Sequence, residues 1–174
     1  MTGSGKTAAF VLPILQQMAG TQSGRTRALI LTPTRELASQ IHEHIEALAR
    51  HTPVRSATVF GGVKPGQQER ALKAGVDVIV ATPGRLLDHM QHPWARFEDL
   101  EFLVIDEADR MLDMGFLPDV KRILARLPKR RQTMLFSATM PRPIVDLSRG
   151  LLHDPVRIDI ERRSAPATGI AQAI

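Results

Sequence analysis

Cysteine and tyrosine are absent from these 174 residues, and tryptophan occurs once. Without cysteine there is no disulfide framework and no thiolate metal site, which suits a reducing compartment. One Trp and six Phe leave few rings to stack on nucleobases. Any nucleic acid is therefore expected to be held by its backbone, without sequence preference. Long apolar runs are also missing, since none approaches the roughly eighteen residues of a membrane span. The start shows no basic region followed by an apolar stretch and a cleavage site. These absences predict a cytoplasmic chain that engages no membrane.

What is present is enough for one packed domain. The chain is 43% hydrophobic, and its 23 Lys and Arg against 18 Asp and Glu give a net charge of +5, which makes a polyanionic partner plausible. Short apolar runs alternate with longer amphipathic ones. "ALIL" (28–31), "SATVF" (56–60), "VDVIVA" (76–81), "EFLVID" (101–106), "TMLFS" (133–137) and "VRIDI" (156–160) read as strands. Between them, "ELASQIHEHIEALAR" sets Leu37, Ile41, Ile45 and Leu48 on one helical face, and "FLPDVKRILARL" does so with Leu117, Val120, Ile123, Leu124 and Leu127. The alternation predicts an α/β fold, a mostly parallel sheet with helices on both faces. Residues 1–160 are expected to form the domain, and 161–174, rich in Ala, Pro, Thr and Gly, a linker or tail.

In such sheets ligands gather at the carboxyl ends of the strands. Four exits there are polar: Thr32-Pro33-Thr34-Arg35, Thr82-Pro83-Gly84-Arg85, Asp106-Glu107-Ala108-Asp109 and Ser137-Ala138-Thr139. In the two T-P-x-R phrases the first Thr is expected to cap a helix and Pro to start it, so that each helix start with its Arg could take one phosphate. A solvated Arg after an ordinary cap is the simpler reading of one copy, and two copies at one edge outweigh it. Asp106 and Asp109 could merely cap a helix, yet three carboxylates within four residues repel one another unless a cation relieves them. An Asp directly after an apolar strand is where a Mg²⁺-holding acid belongs, and the adjacent Glu107 could orient an attacking water.

The opening "MTGSGKT" completes the set. Its glycines would let backbone N–H groups close around phosphates, Lys6 would reach the β and γ phosphates, and the Thr7 hydroxyl would ligate Mg²⁺. The first position of the phosphate-loop pattern falls one residue before Met1, so the strand feeding the loop is expected to be lacking. His42 and His44, two apart on a helix, read as exposed helix positions rather than a zinc site.

"TGSGKT", "PTRELA", Gly61-Gly62, "TPGR", "DEAD" and "SAT", in that order, resemble the first RecA-like domain of the DEAD-box ATP-dependent RNA helicases, with "MLDMGF" and "LLHDPVRIDI" similar to bacterial members. The resemblance implies a RecA-like P-loop NTPase using ATP and Mg²⁺. Thr2, Gly3, Ser4, Gly5, Lys6 and Thr7 would hold the phosphates, Asp106 with Thr7 the metal, and Glu107 the attacking water. Asp109 would bond to Ser137 and Thr139, linking nucleotide state to strand opening. Pro33, Thr34, Arg35, Gly62, Thr82, Pro83, Gly84 and Arg85 would line the RNA backbone path.

The family's adenine-reading Q motif and its second RecA-like domain do not occur in this sequence, so weak or no activity is expected from the chain alone. A sequence-tolerant RNA- or nucleotide-binding module without chemistry is the alternative, and another P-loop enzyme a distant third. The lacking strand also predicts an open sheet and a marginal or aggregation-prone chain.

Overall fold

Five of the apolar runs become strands, and a sixth does not. The computed structural model describes residues 5–20 and 24–159. Within them β1 (Ala28–Leu31), β2 (Ser56–Val59), β3 (Val78–Ala81), β4 (Phe102–Ile105) and β5 (Gln132–Leu135) form one sheet in the order β2-β3-β1-β4-β5, every pairing parallel. The helices are α1 (Lys6–Met18), α2 (Arg35–Ala49), α3 (Gly66–Ala74), α4 (Pro83–His89), α5 (Ala108–Asp113), α6 (Leu117–Leu124) and α7 (Arg142–Leu151). The expected tail, 161–174, lies outside the described residues, and so do Thr2, Gly3 and Ser4.

The central strands are uniformly apolar because helices bury both faces of the sheet. Ala28, Ile30, Val78, Val80 and Val104 meet Phe10, Ile14, Ile41 and Ile45 from α1 and α2. Their alternates Leu29, Leu31, Ile79, Ala81, Leu103 and Ile105 join Leu86, Val120, Ile123 and Ile144 on the other side. Each Leu or Ile so buried stabilises the fold by about 1.5–3 kcal/mol. Among the described residues no helix is long and apolar enough to cross a membrane.

Two expectations are corrected. Residues 156–159 form no strand, and Val156 and Ile158 are 89% and 82% exposed. Their alternating pattern is that of a strand, but a strand needs a paired neighbour, and among the described residues none lies along the outer side of β5. On α2, Leu48 points outward and Leu37 is only half-buried; the covered stripe is Ala38, Ile41, Ile45 and Ala49. Small Ala side chains let α2 lie close to its neighbours, so the true face is rotated from the one its larger residues mark.

The carboxyl edge is fixed residue by residue. Thr32 N donates to Ala81 O (3.0 Å), Thr82 N to Val59 O (2.9 Å), Asp106 N to Leu31 O (2.9 Å) and Phe136 N to Ile105 O (2.8 Å). Every exit residue hangs from the last carbonyl of an adjacent strand.

Candidate functional site

The first cluster forms where α1 begins beside the ends of β4 and β5. Gly5, with φ +72°, caps α1, and Lys6 and Thr7 occupy its first turn, half-buried. Apolar packing holds that turn: Phe10 is fully buried and its ring lies 5.3 Å from that of Phe136, just past β5. Across from it stands Asp106, only 5% exposed. Burial pushes its carboxyl above the usual range, the Lys6 charge pulls it back down, and Glu107 and Asp109 push it up again. Its Oδ1 accepts from Glu107 N at 3.0 Å, and no other partner is found among the described residues.

A buried carboxylate with spare acceptor capacity and a nearby ammonium fits a phosphate-bound cation. Among the described residues no three His, Cys, Asp or Glu side chains converge as a metal cage. Mg²⁺ needs none, since it commonly takes one or two protein oxygens and fills its octahedron with waters and phosphates. Asp106 and Thr7 suit that coordination.

Glu107 is one of two non-glycine residues with positive φ among those described, at φ 53° and ψ 51°. Left-handed backbone at such a residue costs about 1–3 kcal/mol and persists only when its surroundings impose it. Here Asp106 Oδ1 takes its N–H, its carbonyl accepts from Met111 N at 3.0 Å, and its Oε2 accepts from Arg110 Nη1 at 3.2 Å. The Glu107 side chain is about one-third exposed.

Asp109 ties this edge to the next exit. Thr139 donates to Asp109 Oδ2 twice, from N at 2.8 Å and from Oγ1 at 2.9 Å, while Asp109 N donates to Ser137 Oγ at 3.1 Å. Burial raises the Asp109 carboxyl, but these bonds from Thr139, with one from Arg110 N, hold it below the usual range.

A second cluster lies around the segment 60–63. The Arg35 guanidinium sits 5.2 Å over the Phe60 ring, and Arg85 Nη1 donates to Val63 O at 3.1 Å. Gly62 has φ +79°, so the turn itself calls for glycine, while a Cβ there would only touch Arg35 Nη1 at an ordinary 3.7 Å. Gly84 differs: a Cβ there meets nothing within 4 Å, which leaves the start of α4 open.

The two T-P-x-R phrases are not equivalent. In the second, Thr82 stands at the cap position and Pro83 is the first helical residue, as expected, but the Thr82 side chain makes no capping hydrogen bond. In the first, the cap is Thr34, whose hydroxyl accepts from Leu37 N at 3.2 Å, so Pro33 and the fully buried Thr32 precede the helix. Thr34 wins because its side chain reaches the third helical N–H while Thr32 is committed to the sheet. Arg35 is thus the first residue of its helix and Arg85 the third. His42, read as exposed, is half-buried and bonds through Nδ1 to Ser56 Oγ at 3.0 Å.

Fold and edge together define the class, a RecA-like α/β domain with an acidic strand exit facing a helix-borne lysine. The chain belongs to the DEAD/DEAH box helicase family, whose sequence profile it matches over residues 1–147. It is 45% identical over 168 residues to "ATP-dependent RNA helicase DeaD" of Haemophilus influenzae, covering 95% of this chain and 27% of that protein. To "ATP-dependent RNA helicase CshA" of Listeria monocytogenes it is 44% identical over 171 residues, covering 98% of this chain and 33% of the relative. The crystal structure of a DEAD box protein from Methanococcus jannaschii superposes with a TM-score of 0.82 at 41% identity, covering 88% of this chain and 42% of that one. The chain thus spans about a third or less of the curated relatives named here.

Proposed function

We propose that the chain is the nucleotide-binding portion of an ATP-dependent RNA helicase, its residues 1–160 serving as a partial first RecA-like domain. The observation that carries this reading is the buried, under-partnered Asp106 carboxylate within the field of Lys6.

In this reading Thr2, Gly3, Ser4, Gly5, Lys6 and Thr7 hold the ATP phosphates, and Lys6 neutralises charge that accumulates on the γ-phosphoryl oxygens. Thr7 and Asp106 would hold Mg²⁺, which when bound would supply positive charge against the phosphates. Glu107, whose backbone is held in the left-handed region, orients the attacking water for in-line displacement. Asp109 passes the state of that edge through Thr139 and Ser137 to the segment leading into α7. Arg35, Gly62, Arg85 and the exits Pro33, Thr34, Thr82, Pro83 and Gly84 hold an RNA backbone without reading bases, consistent with the scarcity of aromatic side chains.

Strand separation also requires a second RecA-like domain, whose arginines would reach the γ phosphate; such a group is worth about a thousandfold or more in rate. Steady-state ATPase measurements with and without RNA test the assignment. The chain alone is expected to turn over slowly, and joined to a second RecA-like domain it should become RNA-stimulated, with Glu107→Gln abolishing turnover while nucleotide still binds. Stimulation that survives Glu107→Gln would overturn the role given to Glu107. RNA binding without turnover in the joined protein would favour a binding module.

A further inference from the structure

Gln68 was not distinguished by the sequence, where it sits in the polar stretch "KPGQQER" and looks like a solvated helix position. In the fold it is 5% exposed. Its Nε2 donates to Phe60 O at 2.9 Å, and its Oε1 faces His89 Nε2 at 3.3 Å. His89, the last residue of α4, is itself 4% exposed. Because the Gln68 amide gives its N–H to the carbonyl, its oxygen must accept, so His89 carries its hydrogen on Nε2. Burying a long amide is unfavourable unless both of its ends are satisfied, and here they are.

The three residues so joined surround one segment. Phe60 bears the Arg35 guanidinium on its ring, Val63 O takes the Arg85 side chain, and Gly62, at positive φ, turns the chain between them. Both arginines therefore rest on 60–63, and Gln68 holds that segment from inside while His89 ties it to the far end of the helix that bears Arg85. We propose that Gln68 is a positioning residue for RNA-backbone binding: with His89 it fixes the 60–63 segment so that Arg35 and Arg85 keep a set spacing toward successive phosphates. The proposal rests on the RNA-path reading above.

The test uses the whole chain and a short fluorescein-labelled polyuridylate, with affinity measured across a salt series. Nucleotide affinity and thermal melting are measured on the same samples. Gln68→Leu fills the volume but leaves Phe60 O and His89 unpaired; it is expected to weaken RNA binding about tenfold and lower the salt slope by about 1, as if one phosphate contact were lost. Nucleotide affinity should not change. His89→Gln, which can still donate to Gln68, is expected to bind RNA nearly as the parent does, and His89→Leu to lose several-fold; this pair decides the matter if Gln68→Leu does not fold.

Arg35→Ala with Arg85→Ala separates the proposal from the reading beneath it. If that pair weakens RNA binding while Gln68→Leu and His89→Leu leave affinity and salt slope untouched, Gln68 has no positioning role. If the arginine pair itself changes nothing, the RNA path is wrong and the proposal falls with it. Equal losses of RNA and nucleotide affinity in Gln68→Leu would mark general damage and also overturn it.

Discussion

Asp106 stands under two opposed demands. Burial raises its pKa above the 3.8 of a free aspartate, so the folded chain binds its proton more tightly than the unfolded chain does. Its stabilising contribution is complete below that unfolded value and is lost as pH rises through the folded one, so burial makes the charged form unfavourable. Asp106→Asn is therefore expected to raise the melting temperature of the metal-free chain at neutral pH by about 2–4 °C, the shift given by ~1 kcal/mol in a domain of this size. The same change should abolish Mg²⁺-dependent ATP turnover, and calorimetry paired with an ATPase assay checks both. Gly84→Ala tests the other cluster. With no neighbour inside the chain for the new methyl, it should melt like the parent, yet bind polyuridylate roughly tenfold more weakly because the methyl stands where a phosphate would approach. Asp106 and Glu107 stand out in the sequence as candidates because they form an acidic pair directly after an apolar strand. Gln68 does not, because its burial arises from two partners, Phe60 and His89, that only the fold brings to it.

At the scale of elements, α3 and α4 are joined by a titratable link. Burial holds the His89 pKa below its ordinary 6.5, helped by the charges of Arg85 and His92 and opposed by Asp88 and Glu69. A base with a lowered folded pKa is stabilising above its unfolded value, and that contribution is lost as pH falls from about 6.5 toward the folded pKa. Melting temperature is expected to drop between pH 7.5 and 5.5, and the drop should shrink in His89→Gln; scanning calorimetry across that range measures it. Element type was legible wherever both faces of a strand are buried, as in "VIVA" and "FLVI", because the apolar run is then unbroken. It failed at 156–159, where pattern favours a strand but pairing decides, and at the first T-P-x-R, where two threonines compete for one cap.

On the scale of the whole molecule, β5 presents an unpaired outer side among the described residues, and Val156 and Ile158, later in the chain, are exposed. An open strand edge and exposed apolar side chains each favour association. Sedimentation at rising protein concentration is expected to show self-association, and replacing both Val156 and Ile158 by Lys should reduce it without loss of helix content. A monomer at every concentration, melting cooperatively well above about 65 °C, would contradict this. Lys6, Thr7, Asp106 and Glu107 could be named together, but what covers the sheet beside them was open, since pairing is a property of the sheet and not of any one run.

The central strand has a kinetic consequence. β1 meets β3 through Ala28 and Val78 on one side and β4 through Ala28 and Phe102 on the other. Both partners lie far downstream, so most of the sheet's closure is non-local and its folding is expected to be slow for its size. During synthesis "ALIL" leaves the ribosome well before either neighbour exists. In that interval a wholly apolar central strand has nothing to pair with, which makes the nascent chain, rather than the finished domain, the species most in need of a chaperone.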